Sequence, residues 1–207
     1  NHSHEHKTHM LPPESLSSSD SDTTVKTDKS KLKSGLYIVA TPIGNLEDIT
    51  LRALRVLKAA DYITCEDTRV THKLLEHYGI RSHMIVYNDH STDRDREQIV
   101  QRITEGSSIA LVSDAGTPLI SDPGYKLVRA LQDNNIYYTT LPGPSSVTAA
   151  LTLSGLPTNN FMFAGFLPPK AMQRQRYLSD YTEYRTTLVF FERASRVIAT
   201  LYDIQAI

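Results

Sequence analysis

In the first part of the chain, short apolar runs alternate with longer segments whose apolar residues recur at helical spacing. The short runs predict strands, and the longer segments predict helices. The predicted strands are 36–40, 62–65, 84–87, 109–112 and 137–141, and the predicted helices are 50–60, 70–78, 93–105, 125–132 and 147–153. This alternation predicts right-handed β-α-β units and a mostly parallel sheet, so the expected fold class is α/β.

Beyond residue 154 the pattern changes, and we expect a second, smaller α/β domain at 154–207 after an N-terminal domain at 35–153. An aromatic, strand-like run at 161–166 is followed by a polar helix, and another strand-like run at 187–191 is followed by the last helix. So few elements give a small sheet little on which to close a core. We therefore expect this C-terminal domain to be incomplete.

Residues 1–34 are rich in Ser, Asp and His and have almost no periodic apolar pattern, which predicts a disordered tail. The histidines of this tail have no flanking structure to hold a coordination geometry, so we expect no structural or catalytic metal site there. They are His2, His4, His6 and His9. The chain starts at Asn1 without a methionine, so we expect the start of a fragment, with Met10 as an alternative start.

The formal net charge is -1, so the chain has no overall positive field, and any nucleic-acid surface must be a local basic patch. No apolar run approaches the length of a membrane span, and the N-terminus lacks the apolar segment of a signal peptide. Cys65 is the single cysteine, which excludes an internal disulfide and suits a reducing compartment. These features predict a cytoplasmic protein with no membrane partner.

The loop at 113–124, which reads SDAGTPLISDPG, directly follows the predicted strand 109–112. It is longer than a strand-to-helix connection needs, and it is rich in Gly, Pro, Asp and hydroxyl side chains. Gly116 and Gly124 would let the backbone approach a ligand or adopt positive φ. Because open α/β sheets bind ligands beyond the carboxyl ends of their strands, the loop predicts a ligand site, with an ordinary connection as the alternative.

Other loops follow the neighbouring strands and should reach the same edge of the sheet. A Pro-Gly loop at 41–48 follows the strand 36–40, and the sequence PGPSS at 142–146 follows the strand 137–141. The strand 62–65 runs directly into EDTR, a segment with three charged residues in four.

The stretches VATPIGNLEDIT, RAL, EDTR, SDAGTPLISDPG, LPGPS, GLP and GFLPPK occur in this order within residues 35–204. Together they resemble the bacterial small-subunit ribosomal RNA methyltransferase I family, which belongs to the tetrapyrrole methylase superfamily. The resemblance implies two α/β domains with S-adenosylmethionine in the cleft between them, and a homodimer. It also implies methylation of the ribose 2′-hydroxyl of a cytidine in 16S rRNA of the small ribosomal subunit.

By the pattern of that superfamily, the cofactor contacts fall on the loops that follow the strands at this edge of the sheet, which we call the rim loops, and on the start of the last helical segment. They are Ile43, Thr117, Ile120, Ser145, Ser146 and Glu192. The backbone at Ala115, Gly116, Thr117 and Pro118 would supply further donors and acceptors. The family usually has Ala in place of Ser146, it reads ESPHR where this chain reads ERASR at 192–196, and its second domain continues for tens of residues. We therefore expect a truncated or degenerate copy.

A ribose hydroxyl is a poor nucleophile until its proton leaves, so a carboxylate close to it could act as a general base. The candidates for this catalytic role are Asp114, Glu66 and Asp67. For each of them, a cap on a loop or a helix is the structural alternative.

Arg69 is placed to hold a phosphate or a ribose of RNA, with an ion pair to Glu66 or Asp67 as the structural alternative. The other candidate RNA contacts are Asn45, Lys170 and Arg174.

Two other functions stay open. The chain could methylate a tetrapyrrole or another small molecule, or it could be an inactive, truncated binding protein. The segments EDTR and GFLPPK favour RNA as the substrate.

Overall fold

The computed structural model describes residues 31–121 and 124–207. The predicted disorder of residues 1–30, the histidines of that segment and Met10 lie outside the described residues, as do residues 122 and 123.

A parallel sheet forms the centre of the N-terminal part. Its strands are β1 (Gly35–Val39), β2 (Tyr62–Cys65), β3 (His83–Val86), β4 (Ser108–Leu111) and β5 (Tyr138–Leu141). The spatial order is β3-β2-β4-β1-β5, and each pairing is parallel. The predicted mostly parallel sheet and its strands are confirmed, with bounds that shift by at most one residue.

Helices cover both faces of this sheet, which is why the central strands β1 and β4 are buried along their whole length. The helices are α1 (Leu51–Ala59), α2 (Thr68–His77), α3 (Asp93–Thr104), α4 (Tyr125–Asp133) and α5 (Ser146–Ser154). On one face Val56, Leu57 and Leu75 of α1 and α2 pack against the sheet. On the other face Ile99 and Leu127 of α3 and α4 do so.

The helix starts after β1, β2 and β3 are set by side chains that satisfy the free backbone N–H groups of a first turn. Thr50 Oγ1 accepts a hydrogen bond from Ala53 N, and Asp67 accepts one from Arg69 N. Thr92 and Asp95 bond reciprocally as a capping box at the start of α3. These caps fix the residue at which each helix begins, next to the loops at the carboxyl edge of the sheet.

A smaller unit follows, with strands β6 (Phe161–Phe166) and β7 (Thr187–Phe191) and helices α6 (Ala171–Ser179) and α7 (Val197–Gln205). The two strands pair in parallel, and a 3₁₀ turn at Ala194–Arg196 precedes α7. The predicted strands at 161–166 and 187–191 are confirmed. None of the helices in the described part of the chain has the length and apolar character needed to cross a membrane.

Arg174 lies inside this unit and not on its surface, which corrects its prediction as an RNA contact. Its side chain is only 4% exposed, and its Nε donates to Asp203 Oδ2 at 2.6 Å. Its Nη1 donates to the backbone oxygens of Pro168 and Pro169. Once the guanidinium is committed to these acceptors, it has no free face for a phosphate.

The ordered contacts of the chain begin before residue 35, where the end of the predicted tail was placed. Leu32 packs against the core on the face of the sheet that α1 and α2 cover, and Ser34 Oγ donates to the carbonyl of Ile103 at 2.7 Å. The Lys33 ammonium lies 4.1 Å from the centre of the Tyr137 ring. An isolated apolar residue such as Leu32 gives no periodic signal, so the sequence pattern did not reveal it.

Candidate functional site

The loops that follow the strands meet at one edge of the sheet, because all the strands run in the same direction. At this edge a cavity of about 210 Å³ lies against the loop that follows β4. We call it the main cavity. Its lining residues are Glu66, Tyr87, Asn88, Leu111, Val112, Ser113, Ala115, Thr117, Pro118, Leu119, Ile120, Ser121, Gly124, Phe166 and Phe191.

An open cleft of about 590 Å³ adjoins the main cavity, and Glu66 and Asn88 line both. We call it the acidic cleft, after Glu66, Asp67, Asp89 and Asp114 in its wall. The rest of its lining is Thr68, Arg69, Val86, Asn88 and His90. The main cavity alone is smaller than the roughly 300–1,000 Å³ of typical ligand sites, so a sizeable ligand would extend into the cleft.

The loop after β4 is tied to the loops after β1 and β5. Gly116 and Thr41 exchange two backbone hydrogen bonds of 3.0 Å, and Thr117 Oγ1 donates to the carbonyl of Pro144 at 2.8 Å. Gly116 has φ of 78°, as predicted, and a β-carbon there would lie 3.2 Å from Ile43 Cγ2. The positive φ of Gly116 therefore serves the hydrogen-bonded junction between the loop after β4 and the loop after β1.

Gly124 does not match the expectation of positive φ, because its φ is −49°. A glycine is needed here because the backbone of Leu119 packs closely against it. An added β-carbon would lie 2.6 Å from Leu119 Cα. Leu119 itself has φ of 64°, a conformation that costs energy for a residue with a side chain. Gly124 thus fixes the segment of the loop that forms one wall of the main cavity.

The predicted cofactor residues divide into groups. Four of them line the main cavity: Ala115, Thr117, Pro118 and Ile120. Gly116 lies buried beneath them. Ile43 and Ser145 line a separate, open groove that also contains Pro144. Ser146 is exposed as the first residue of α5 and lines neither space.

The Glu192 side chain is hydrogen-bonded to residues at and before the start of α7. Its neighbour Phe191 lines the main cavity instead. Glu192 Oε2 accepts a hydrogen bond from Thr200 Oγ1, and its Oε1 accepts one from Arg193 N. Partial burial pushes the pKa of Glu192 upward, but these bonds and nearby Arg charges outweigh it and hold the pKa below the usual glutamate value. Both side-chain oxygens of Glu192 are therefore engaged in structural contacts.

The three predicted catalytic carboxylates lie together in the acidic cleft. Glu66 Oε2 accepts a hydrogen bond from Asp114 N at 3.2 Å, and Asp114 Oδ1 accepts one from Asp67 N at 3.3 Å. These two bonds interlock the ends of β2 and β4, which are neighbours in the sheet. The sequence separates the partners, and the parallel sheet brings them together.

Asp67 and Arg69 form the ion pair that was the structural alternative for Arg69, and Asp67 also caps α2, which was its own structural alternative. Asp67 Oδ1 accepts from the backbone N and the Nε of Arg69, and Asp67 Oδ2 accepts from its Nη2 at 2.9 Å. These hydrogen bonds lower the pKa of Asp67. The Arg69 side chain is nevertheless 87% exposed, so the guanidinium remains accessible at the rim of the cleft.

The remaining predicted RNA contacts are exposed but lie outside the lining of the cavity and the cleft. Asn45 accepts a hydrogen bond from Glu47 N at the start of a 3₁₀ turn, and Lys170 precedes α6. Among the described residues, no group of three or more His, Cys, Asp or Glu side chains is arranged to hold a metal ion.

Several lining residues were not predicted. Asn88 follows β3 at the same edge, and its side chain donates to the Glu66 carbonyl at 3.3 Å, so its position after a strand was an available signal. Phe166 and Phe191 end β6 and β7 and pack edge to face, with ring centres 5.4 Å apart. Nothing local in the sequence indicates that the smaller unit places them against the loop after β4.

Comparison with known proteins shows the family to which this chain belongs. Residues 35–206 match the family described as Tetrapyrrole (Corrin/Porphyrin) Methylases. The chain belongs to this tetrapyrrole methylase family. The matched range contains every residue that lines the main cavity and the acidic cleft.

Among tetrapyrrole methylases, the chain is similar to proteins named ribosomal RNA small subunit methyltransferase I. The protein of that name from Rickettsia prowazekii (strain Madrid E) is 55% identical over 170 residues, which are 82% of this chain and 61% of the relative. That from Escherichia coli O157:H7 is 48% identical over 172 residues, which are 83% of this chain and 60% of the relative. The chain thus spans about three fifths of the length of these relatives.

Solved structures of tetrapyrrole methylases share the fold. A uroporphyrin-III-C-methyltransferase from Thermus thermophilus superposes with a TM-score of 0.57 at 20% identity, over 84% of this chain and 73% of that chain. A cobalt precorrin-4 methyltransferase of cobalamin biosynthesis superposes with a TM-score of 0.60 at 16% identity, over 83% of this chain and 74% of that chain. At these identities the likeness concerns the fold alone.

Proposed function

We propose that this chain binds S-adenosylmethionine in the main cavity and methylates the ribose 2′-hydroxyl of a cytidine in 16S rRNA of the small ribosomal subunit. The observation that carries the proposal is the 55% identity over 170 residues to the Rickettsia prowazekii protein named ribosomal RNA small subunit methyltransferase I. The proposed setting is a cytoplasmic homodimer. The chain would act on the small ribosomal subunit as its partner.

The residues of the main cavity fit such a cofactor. The loop at 115–118 and Ile120 offer backbone groups beside an apolar surface, and Phe166 and Phe191 offer aromatic faces and edges for an adenine ring or a sulfonium cation. Bound there, the cofactor would supply an electrophilic methyl group. The chain's own contribution is to place the nucleophilic oxygen and to exclude water.

The acidic cleft would face the RNA. A cleft walled by carboxylates repels phosphates, so the RNA backbone must be held by basic side chains at its rim. Arg69 meets this need, because its guanidinium is 87% exposed while its ion pair to Asp67 fixes its position. Lys170 and Asn45 remain proposed RNA contacts at more distant exposed positions.

Filling the main cavity should abolish cofactor binding. Ala115 is exposed and lines the cavity, so Ala115→Trp would occupy its volume without disturbing the core. We expect calorimetry with S-adenosylmethionine to show at least a tenfold loss of affinity, or roughly 1.4 kcal/mol. Ala150→Trp, at an exposed position of α5 outside the lining, is the matched control and should bind normally. Unchanged binding by Ala115→Trp would place the cofactor elsewhere.

Loss of Arg69 should impair RNA methylation and not cofactor binding. With Arg69→Ala we expect affinity for S-adenosylmethionine within about threefold of the original, and transfer of labelled methyl to small subunits reduced by tenfold or more, since a charge-assisted contact contributes roughly 1.5–3 kcal/mol. Lys58→Ala, an exposed basic residue on α1, is the control. Equal loss of cofactor affinity and methylation would refute separate cofactor and RNA surfaces.

Offering both substrate classes to the same preparation tests the substrate class itself. We expect labelled methyl to appear in the small subunit and not in a uroporphyrinogen. The reverse result would assign the chain to tetrapyrrole chemistry, and binding of the cofactor without transfer to either substrate would identify a binding protein.

A further inference from the structure

The Glu66 carboxylate differs from its two acidic neighbours in its surroundings. Glu66 lines both the main cavity and the acidic cleft, whereas Asp67 and Asp114 line only the cleft. It therefore stands at the passage between the proposed cofactor space and the proposed RNA space. A group that takes a proton from the oxygen being methylated must reach both reactants, and Glu66 alone of the three is so placed.

The hydrogen bonds of the cluster leave an accepting oxygen free on Glu66. Its Oε2 accepts from Asp114 N, and its Oε1 has no hydrogen-bond partner within the part of the chain that the structure describes. Its backbone oxygen accepts a hydrogen bond from Asn88 Nδ2, and the carbonyl of the preceding residue, Cys65, accepts one from Tyr87 N, which follows β3. Glu66 is thus fixed in position while one oxygen stays available.

Asp67 lacks this freedom. Both of its oxygens accept hydrogen bonds from Arg69, and its pKa is lowered by them, so it is a weak proton acceptor. Asp114 Oδ1 accepts from Asp67 N, and Asp114 N donates to Glu66. The connections of Asp114 make it the link that holds the other two carboxylates in place.

The charges around Glu66 favour proton uptake. Glu66 is partly open to solvent, and its partial burial raises its pKa; the hydrogen bond from Asp114 N lowers it, and the negative charges of Asp114 and Asp89 raise it further. The other titratable or charged groups that line the same spaces are Asp67, Arg69, His90 and Tyr87. A general base works best when its pKa approaches the operating pH, so this environment suits the role.

We propose that Glu66 is the general base that accepts the proton of the hydroxyl being methylated, a step that rests on the function proposed above. The O–H bond breaks and its proton passes to Glu66 Oε1, and the oxygen forms a bond to the methyl carbon. The bond from that carbon to the sulfonium sulfur breaks, and its electron pair stays on sulfur. Glu66 then releases the proton to solvent.

The first test needs no catalytic activity. Titration of the chain labelled with ¹³C at its carboxyl carbons, followed by NMR, should show Glu66 titrating above the usual glutamate value of about 4.3 and Asp67 titrating below the usual aspartate value of about 3.9. A Glu66 carboxyl that titrates at or below the usual value would overturn the proposal.

The second test separates proton transfer from binding. We expect Glu66→Gln to keep its circular dichroism spectrum and to bind S-adenosylmethionine within about threefold of the original, while methyl transfer to small subunits falls by about 10²–10⁴-fold. Glu66→Asp should retain more activity than Glu66→Gln and should shift the acid limb of the pH profile of kcat/KM. Glu76→Gln, on the exposed side of α2, removes the same charge away from the site and should be fully active.

The outcomes distinguish the two proposals. If the unmutated chain methylates small subunits and Glu66→Gln does so equally well, Glu66 is not the base and the proposed function stands. If Asp114→Asn and not Glu66→Gln loses transfer, Asp114 is the base instead. If the unmutated chain binds the cofactor but transfers no methyl to small subunits, the proposed function fails, and the role of Glu66 fails with it.

Discussion

At the scale of single residues, partners decide what a side chain does. Arg69 and Arg174 are both candidate RNA contacts on the sequence evidence, yet the Arg69 side chain is 87% exposed and the Arg174 side chain only 4%. The two exposures differ because the carboxylates that accept their hydrogen bonds lie in different places. Asp67 holds Arg69 at the surface from two residues away, whereas Asp203 meets Arg174 from another helix, inside the smaller unit.

Gly124 offers a prediction at this scale. In Gly124→Ala the new β-carbon would meet the backbone of Leu119, so we expect a loss of roughly 1–3 kcal/mol of unfolding free energy together with weaker cofactor binding, because both residues line the main cavity. Thermal unfolding and calorimetry measure the two effects.

The matched control for this prediction is Gly155→Ala, at a φ of 69° with open space around the β-carbon. It should lose about 1–2 kcal/mol from backbone strain and keep its cofactor affinity, since it lies outside the main cavity. If Gly124→Ala bound the cofactor as well as Gly155→Ala does, the wall formed by Leu119 would have no part in binding.

At the scale of elements, an ion pair joins α6 to α7. Arg174 donates to Asp203 and to the carbonyls of Pro168 and Pro169, and Gln175 donates to the other Asp203 oxygen at 2.8 Å. One residue of α6 therefore holds both the facing helix and the loop that follows β6. Since Phe166 at the end of β6 lines the main cavity, this pair also helps to support one wall of the site.

Removing Arg174 should be costly, because it leaves the buried Asp203 carboxylate without its counter-charge and with the hydrogen bond from Gln175 as partial compensation. We expect Arg174→Leu to lower Tm by several degrees and to make the segment after residue 155 the first to be cleaved in limited proteolysis. Arg176→Leu removes the same charge from an exposed position of the same helix and should leave Tm nearly unchanged. Equal Tm values for the two variants would show that the pair contributes little.

The same pair predicts a pH dependence. Hydrogen bonds from Gln175 and Arg174 lower the pKa of Asp203, so their contribution to stability is complete above the unfolded aspartate pKa of about 3.9. It is lost as the pH falls through the lower folded value. The difference in Tm between the original chain and Arg174→Leu should therefore be largest near neutral pH and should shrink in acid. A constant difference would indicate an effect of packing alone.

At the scale of the whole molecule, the edge of the parallel sheet and the smaller unit combine to form the site. The segments after β2, β3 and β4 supply the carboxylates and Asn88, the loop after β4 also lines the main cavity, and Phe166 and Phe191 supply its aromatic wall. No element contains the site by itself. This explains why substitutions in the smaller unit, far from the acidic cleft in sequence, should still affect the main cavity.

Deletions at the N-terminus test where the stable fold begins. Residues 1–30 have too few apolar residues to offset the entropy of ordering, so their removal should leave Tm nearly unchanged. Removal of residues 1–34 also removes the packing of Leu32 and the hydrogen bond of Ser34, and it should lower Tm by about 4–8 °C, for roughly 2 kcal/mol lost. A comparable loss for the shorter deletion would show that residues 1–30 contribute to stability.

The sequence alone determined the order of strands and helices, the parallel sheet and the loops at its carboxyl edge, since apolar spacing and turn residues act over a few neighbouring positions. The tertiary structure decided which groups meet. Glu66 and Asp114 are 48 positions apart, and Arg174 and Asp203 are 29 apart. Such contacts follow from how the strands pair and how the helices pack, and they decide that Arg174 is buried and that Glu66 faces the cavity.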